Sequence, residues 1–361
     1  MFFIDDYLIF IYNSRNKGGV IIDNRVGRIT VLWALSEAAF GGVLHALNIP
    51  FAGLFIGAGA IIFISLIGYY SDDRKAIMRS VMIVLLIKAG VSPHSPPLAY
   101  FAVTLQGLIG SLFFLSGKFY RSSCFLFGII VLLLSSLQKI LLLTIIYGNN
   151  LWYSIDQFGV FVTEQIPYID TVGETSLWLI GIYSGLHLIG GAVAGYIAGA
   201  LPGMVKNASK TIVVEDLELS KISTASEIKK RKKRVWLRKP SSILIVILAI
   251  FIVVLTYIFP AFSESVALRA VVMIVRALLI MGLWFFVISP LVIRWYKRFF
   301  RDRKGKYAGE IENTLSSFPL FRSIVTHSWK KTAGKFFFSR IKEFMIIVLV
   351  YILRTDTGDK I

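Results

Sequence analysis

The side chains able to do chemistry are few, and most of them sit inside apolar runs. The chain has four histidines, His45, His94, His187 and His327, scattered over different segments, and one cysteine, Cys124. One cysteine forms no internal disulfide, and no Cys or His spacing matches a metal site. No Walker-type phosphate loop, Gly-x-Ser-x-Gly elbow or His-Glu-x-x-His pair occurs. What remains is a set of isolated polar groups. Glu37, His45 and Asn48 lie in or at the end of the first apolar run, and Lys88 lies near the end of the third. His94 follows in a proline-bounded loop, Gln106 lies in the fourth run, Gln138 and Lys139 in the fifth, and Ser184 and His187 in the sixth. In hydrocarbon such groups are costly, so each is paired, placed in a wet cavity, or put to use.

Each of these residues alone reads as well structurally as functionally. Lys88 can snorkel, and His94 can be plain surface. Lys139 is harder to dismiss, because it lies about 12 Å below the end of its run at the helical rise per residue. The loop Ser92-Pro93-His94-Ser95-Pro96-Pro97 is stiff, since proline fixes φ and restricts the residue before it. Together His45, Asn48, Lys88, His94, Gln106, Gln138, Lys139 and His187 predict a polar pocket open to the outer side. Its donors are positive or neutral and its acids few, which suits an anionic or strongly hydrogen-bonding small molecule. No cofactor motif accompanies it.

The elements that carry these groups follow from composition. Hydrophobic residues make up 56% of the 361 and charged residues only 17%, with a mean hydropathy of +0.72. Soluble domains hold about 45–50% apolar and about 25% charged residues. The apolar excess falls in blocks whose length suits about 30 Å of hydrocarbon. The spacing predicts an all-α integral membrane protein with spans at 29–47, 51–70, 76–91, 98–117, 123–147, 176–201, 242–261 and 277–293. Residues 148–175 read as a long loop containing acids and no Lys or Arg, and residues 344–353 as a run too short to span.

The net charge of +18 is distributed by position. Loops before span 1 and after spans 2, 4 and 6 contain Lys or Arg, and loops after spans 1, 3 and 5 contain none. That alternation is the positive-inside pattern; it predicts a bacterial inner-membrane protein with both termini cytoplasmic, and it argues against nucleic acid as the partner of the basic charge. Five regions result: a cytoplasmic amphipathic lead at 1–27, a six-span bundle at 28–204, a basic cytoplasmic linker at 205–240, a two-span segment at 241–296 and a basic amphipathic tail at 297–361. The linker run Lys229 to Arg234 anchors on an anionic leaflet or docks a cytoplasmic partner. Arg269 and Arg276 share a helix face before the eighth span and need to be satisfied. Residues 294–343, with Trp295, Trp329 and Phe336-Phe337-Phe338, predict helices lying on the membrane.

Span 1 carries Ala34, Ala38, Gly42 and Ala46 at intervals of four. Such a stripe lets two membrane helices approach closely. It packs either inside this bundle or against a second membrane subunit. Six spans, cytoplasmic ends and the Ala34-x-x-x-Ala38 stripe together resemble the substrate-binding S component of energy-coupling factor transporters, over residues 25–205. That resemblance implies a six-helix bundle capturing a vitamin-like or other micronutrient. It implies docking of a membrane coupling subunit on Ala34, Ala38 and Gly42, and ATP hydrolysis by a separate cytoplasmic ATPase. His45, Asn48, Lys88 and His94 would then lie near the ligand mouth. Two further transmembrane helices and cytoplasmic amphipathic helices extend beyond what S components carry.

Two other functions remain open in the sequence. One is a membrane scaffold whose basic C-terminal region recruits a cytoplasmic partner. The other is an intramembrane enzyme acting on lipids or isoprenoids, which needs carboxylates at the membrane surface. The only acidic pair available for that, Asp72-Asp73, reads more simply as a loop cap. No catalytic motif supports an enzyme.

Overall fold

The computed structural model describes residues 25–46, 51–71, 73, 75–91, 97–115, 119–165, 174–212, 251, 266–288, 290–292, 294, 295, 298 and 307–354. The side chains of 40–46, 97, 266–270, 285, 338 and 354 lie outside that description. The described residues form helices and no strand: α1 Arg25–Ala46, α2 Ala52–Tyr70, α3 Ala76–Val91, α4 Pro97–Phe113 and α5 Tyr120–Tyr147. Then come α6 Asn149–Glu164, α7 Thr175–Ala208, α8 Val266–Leu283 with a π-helical turn at Trp284–Ile288, α9 Ala308–Lys331 and α10 Phe337–Arg354.

Among the described residues four helical stretches are long and apolar enough to cross a membrane: Ala52–Tyr70, Tyr120–Tyr147, Thr175–Ala208 and Val271–Val292. Eight spans were expected. The seventh, at 242–261, lies outside the described residues apart from 251. Of the rest, α3 and α4 have only 16 and 17 residues, and α1 and α3 carry Arg28, Glu37, Arg79 and Lys88. A second difference is α6, a helix where a loop was expected. Its inward positions Trp152, Asp156, Gly159 and Thr163 recur every three to four residues, the repeat of a helix packed on one face.

Helix starts and stops follow local chemistry. Pro97 opens α4, where its missing N–H costs nothing. Before α3, Asp73 Oδ1 accepts the Lys75 N–H at 2.9 Å and its other oxygen pairs with exposed Arg79 at 3.0 Å. This is the capping role read from the sequence, met at Asp73; Asp72 lies outside the described residues.

The chain divides into two compact units that do not follow chain order. The first contains 1–132, 188–229 and 302–361; the second contains 133–187 and 230–301. In the first unit α1 packs on α2 and α3, α4 packs on α2 and α3, and α9 and α10 pack on α1. The inward face of α9 is Ile311, Thr314, Ser317, Phe321, Ile324 and Ser328, and α10 buries every residue from Ile347 to Leu353. The short C-terminal apolar run is therefore a packed helix. Arg28 Nη1, on the first turn of α1, donates to the Ile352 carbonyl at 3.2 Å and so closes the end of α10.

In this unit α5 and α7 approach backbone to backbone. A Cβ on Gly128 would lie 2.3 Å from the Gly191 carbonyl oxygen, and one on Gly195 would lie 2.4 Å from that of Cys124. With Gly199 facing Arg121, the Gly191-x-x-x-Gly195-x-x-x-Gly199 ladder lets backbone meet backbone. Pro202 inside α7 removes the N–H that would bond the Ala198 carbonyl. The Tyr120 hydroxyl lies 3.3 Å from that oxygen and 3.2 Å from the Ser65 carbonyl, so it satisfies the gap by donating from the facing helix.

The second unit is held by polar joints at helix ends. Asp156 on α6 accepts the Ser176 N–H at 2.7 Å and the Ser176 hydroxyl at 3.0 Å, capping α7 from a neighbouring helix. Arg276, buried on α8, donates to the Tyr147 carbonyl at 3.2 Å, placing a cation at the C-terminal end of α5. That contact meets the need for satisfaction that its position in an apolar helix imposes. Arg269 lies outside the described side chains.

Candidate functional site

The polar residues of α1 and α3 meet at one interface. On α1, Thr30, Trp33, Ala34 and Glu37 fall on one face, and all four are buried. On α3, Ser80, Val84 and Lys88 fall on one face and are buried as well. Thr30 Oγ1 donates to the Val26 carbonyl at 2.8 Å, which leaves Ser80 as donor in the 2.7 Å Ser80–Thr30 contact. Farther along, Lys88 Nζ donates to Glu37 Oε2 at 2.6 Å. Both contacts ascend the two sequences together, so α1 and α3 run parallel, and the rungs lie about 10–12 Å apart at 1.5 Å per residue.

The Lys88–Glu37 pair is sealed, with side-chain exposures of 1% and 2%. The Lys88 ammonium also lies 5.9 Å from the ring centroid of Tyr100, a buried residue near the start of α4. Two charges withdrawn from water this far are tolerated because they neutralise each other over a direct hydrogen bond. Trp33, one turn before Glu37, is 1% exposed, and its indole Nε1 has no hydrogen-bond partner among the described residues.

The expected pocket is rearranged by this geometry. Lys88 does not snorkel, and its charge is balanced by Glu37. The local surplus of positive donors expected at the end of α3 is therefore cancelled there. Gln106 is buried on α4. Six residues beyond Tyr100, it faces Gly57 of α2, whose Cβ would lie 3.7 Å from Gln106 Nε2. Its Oε1 has no partner among the described residues. His45 belongs to α1 but its side chain lies outside the description, as do Asn48 and His94.

The remaining expected residues belong to the second unit. His187 is fully buried; its Nδ1 lies 2.9 Å from the Tyr183 carbonyl and its ring 4.4 Å from that of Tyr183. Gln138 is half-buried. Lys139 is exposed, contrary to the enclosed position its depth in the run implied, because it points off the outer face of α5. On the stripe, Ala34 is fully buried within the chain, Ala38 is half-buried and Gly42 lies outside the described side chains. Ala34 is thus taken up by packing inside this chain and is not open to a second subunit.

Sequence reasoning missed Trp33, Tyr100, Thr30 and Ser80 as site residues. The pairing of Lys88 with Glu37 had a legible signal. Glu37 is the one acid in the first three apolar runs and Lys88 one of two bases there, with Arg79, and buried charges occur paired. Tyr100 and Trp33 carried none, because an aromatic in an apolar run looks like core.

Among the described residues no group of three or more His, Cys, Asp or Glu side chains lies together to hold a metal. Compared with known proteins, the chain matches no family model, no curated protein and no solved structure.

Proposed function

We propose that this chain is a membrane transport component that captures a small micronutrient, with a separate ATPase supplying the energy. The carrying observation is the sealed Lys88–Glu37 pair between α1 and α3. A purely structural helix contact is as well served by apolar side chains, so a retained buried ion pair is a candidate working group. In the S-component resemblance these same two helices border the ligand mouth. Lys88 stands one turn before the proline-bounded loop that contains His94.

In this reading α1 to α5 and α7 form the six-helix bundle, and α8 belongs with the span at 242–261. Helices α1 and α3 cross the membrane although hydropathy alone rates them low, because a neutralised pair costs far less than two separate ions. The basic loops face the cytoplasm of a bacterial inner membrane, as do both termini. A coupling subunit would meet α1 beyond Ala34, at Ala38 and the turn that follows. The solute has to compete with one partner of the ion pair, so a ligand bearing a carboxylate or other anionic group would displace Glu37 from Lys88.

Purification from native membranes in mild detergent, with mass spectrometry of bound proteins and small molecules, tests this. A co-purifying ATPase and a retained solute, both lost in Lys88→Met, are the expected outcome. A soluble partner with neither ATPase nor solute would replace the transporter by the scaffold.

A further inference from the structure

The basic, aromatic C-terminal stretch was expected to lie along the membrane as amphipathic helices. The apolar faces of α9 and α10 are in fact already used. Ile311, Phe321 and Ile324 of α9 are buried, and so is the whole run Ile347–Leu353 of α10. What stays outside is the turn that joins the two helices. There Phe336 is 78% exposed, Phe337 63% and Trp329 43%. Gly334, at φ 90°, makes the turn in a backbone conformation that side chains disfavour.

The charge around these rings is one-sided. From Trp329 to Glu343 there are five cations, Lys330, Lys331, Lys335, Arg340 and Lys342, against the single carboxylate Glu343. Lys330, Lys331 and Lys335 are exposed. The rings and cations are joined by contacts: the Arg340 guanidinium sits 3.9 Å over the Trp329 ring and its Nη2 donates to the Trp329 carbonyl at 3.4 Å, while Lys335 pairs with Glu343. Trp329 also meets Phe344 edge-on at 5.3 Å.

We propose that the α9–α10 turn is a binding surface for anionic phospholipid, inserting Phe336 and Phe337 at the headgroup boundary while Lys330, Lys331 and Lys335 engage the acidic headgroups. Exposed aromatics suit the boundary between hydrocarbon and water, where one side of the ring is apolar and its surroundings are wet. Lysines within a Debye length of an acidic leaflet are attracted to it. In a chain with four helices long and apolar enough to cross a membrane, a bilayer surface is already at hand, so the attraction needs no separate recruitment. The proposal does not depend on what the chain transports.

The test uses the full chain in nanodiscs of brominated phosphatidylcholine, alone or mixed with brominated phosphatidylglycerol. An environment-sensitive fluorophore is placed on Phe337→Cys, with the unsubstituted chain, whose Cys124 is buried, as labelling blank. Bromine quenching and a blue shift are expected with phosphatidylglycerol, and weaker ones without it. The same probe on Ser316→Cys, on the exposed face of α9, should stay unquenched. At roughly fivefold per lysine, the triple variant Lys330→Gln/Lys331→Gln/Lys335→Gln should lose the preference for phosphatidylglycerol by on the order of 100-fold. All three sites are exposed, and an unchanged elution profile on size exclusion verifies that the variant folds. An unquenched, water-exposed probe in both lipids overturns the proposal. So does a probe shielded from water but unquenched, which would mean a protein partner, or quenching that ignores both phosphatidylglycerol and the three lysines.

Discussion

At the residue scale the Lys88–Glu37 pair concentrates the structural risk of the first unit. Removing one partner strands the other charge in a site with 1–2% exposure. Lys88→Met and Glu37→Gln are each expected to destabilise the protein by about 3–5 kcal/mol. The double variant should recover most of that loss, because an apolar and a neutral side chain of similar size no longer leave an ion unpaired. Thermal unfolding in detergent for the four members of the cycle measures this. Solute binding by the double variant then separates the roles. A folded double variant that binds no solute marks the pair as part of the site, and one that binds normally marks it as packing alone.

At the element scale α5 and α7 are positioned by glycine. Gly195→Ala would place a methyl group 2.4 Å from the Cys124 carbonyl oxygen, and only backbone movement can relieve that. A loss of roughly 1–3 kcal/mol is expected, the cost of overpacking a close contact. Gly203→Ala, on the same helix, meets nothing within 4 Å. It should be neutral or stabilising by up to about 1 kcal/mol, the intrinsic helix preference of alanine over glycine. The contrast within one helix, read as melting temperature, separates close packing from mere flexibility. In the second unit, Asp156→Ala removes both bonds to Ser176 and should cost about 1 kcal/mol, as loss of a helix N-cap does. Hydrogen exchange at the amide of Ser176 should rise, while Asp156→Asn, which keeps one acceptor, should show the smaller change.

At the scale of the whole molecule the C-terminal hairpin is a structural part of the first unit. Helices α9 and α10 pack on α1, and α9 also on α3. Deleting 308–361 would expose the faces that Ile324 and Ile347 to Leu353 now cover, so the truncated chain should aggregate on size exclusion. A monodisperse, stable truncation would show instead that the tail is an independent module. The milder variant Arg28→Met removes the bond to the Ile352 carbonyl and should cost about 1.5–3 kcal/mol, the range for a hydrogen bond to a charged group.

Local signals in the chain specified much of this architecture. Apolar block length and the breaks at Asn48-Ile49-Pro50, Ser71 to Lys75 and Ser92 to Pro97 marked α1 to α4, because turn chemistry and hydropathy are properties of neighbouring residues. The same is true of α5, α7 and the packed C-terminal run. Helix α6 was missed because its acids and lack of bases looked like a loop, although Trp152, Asp156, Gly159 and Thr163 carried a helical repeat. Which faces meet was decided only by the tertiary structure. Small residues at intervals of four occur on both α1 and α7, and the spacing is the same for each. Yet on α7 the ladder brings backbones together, whereas on α1 Ala34 packs within a bundle that includes the chain's own C-terminal helices. Likewise Lys139 lies deeper in its run than Lys88, but depth along an axis says nothing of rotation about it. Rotation turned Lys88 onto Glu37 and Lys139 outward, and it is set by contacts between helices distant in sequence.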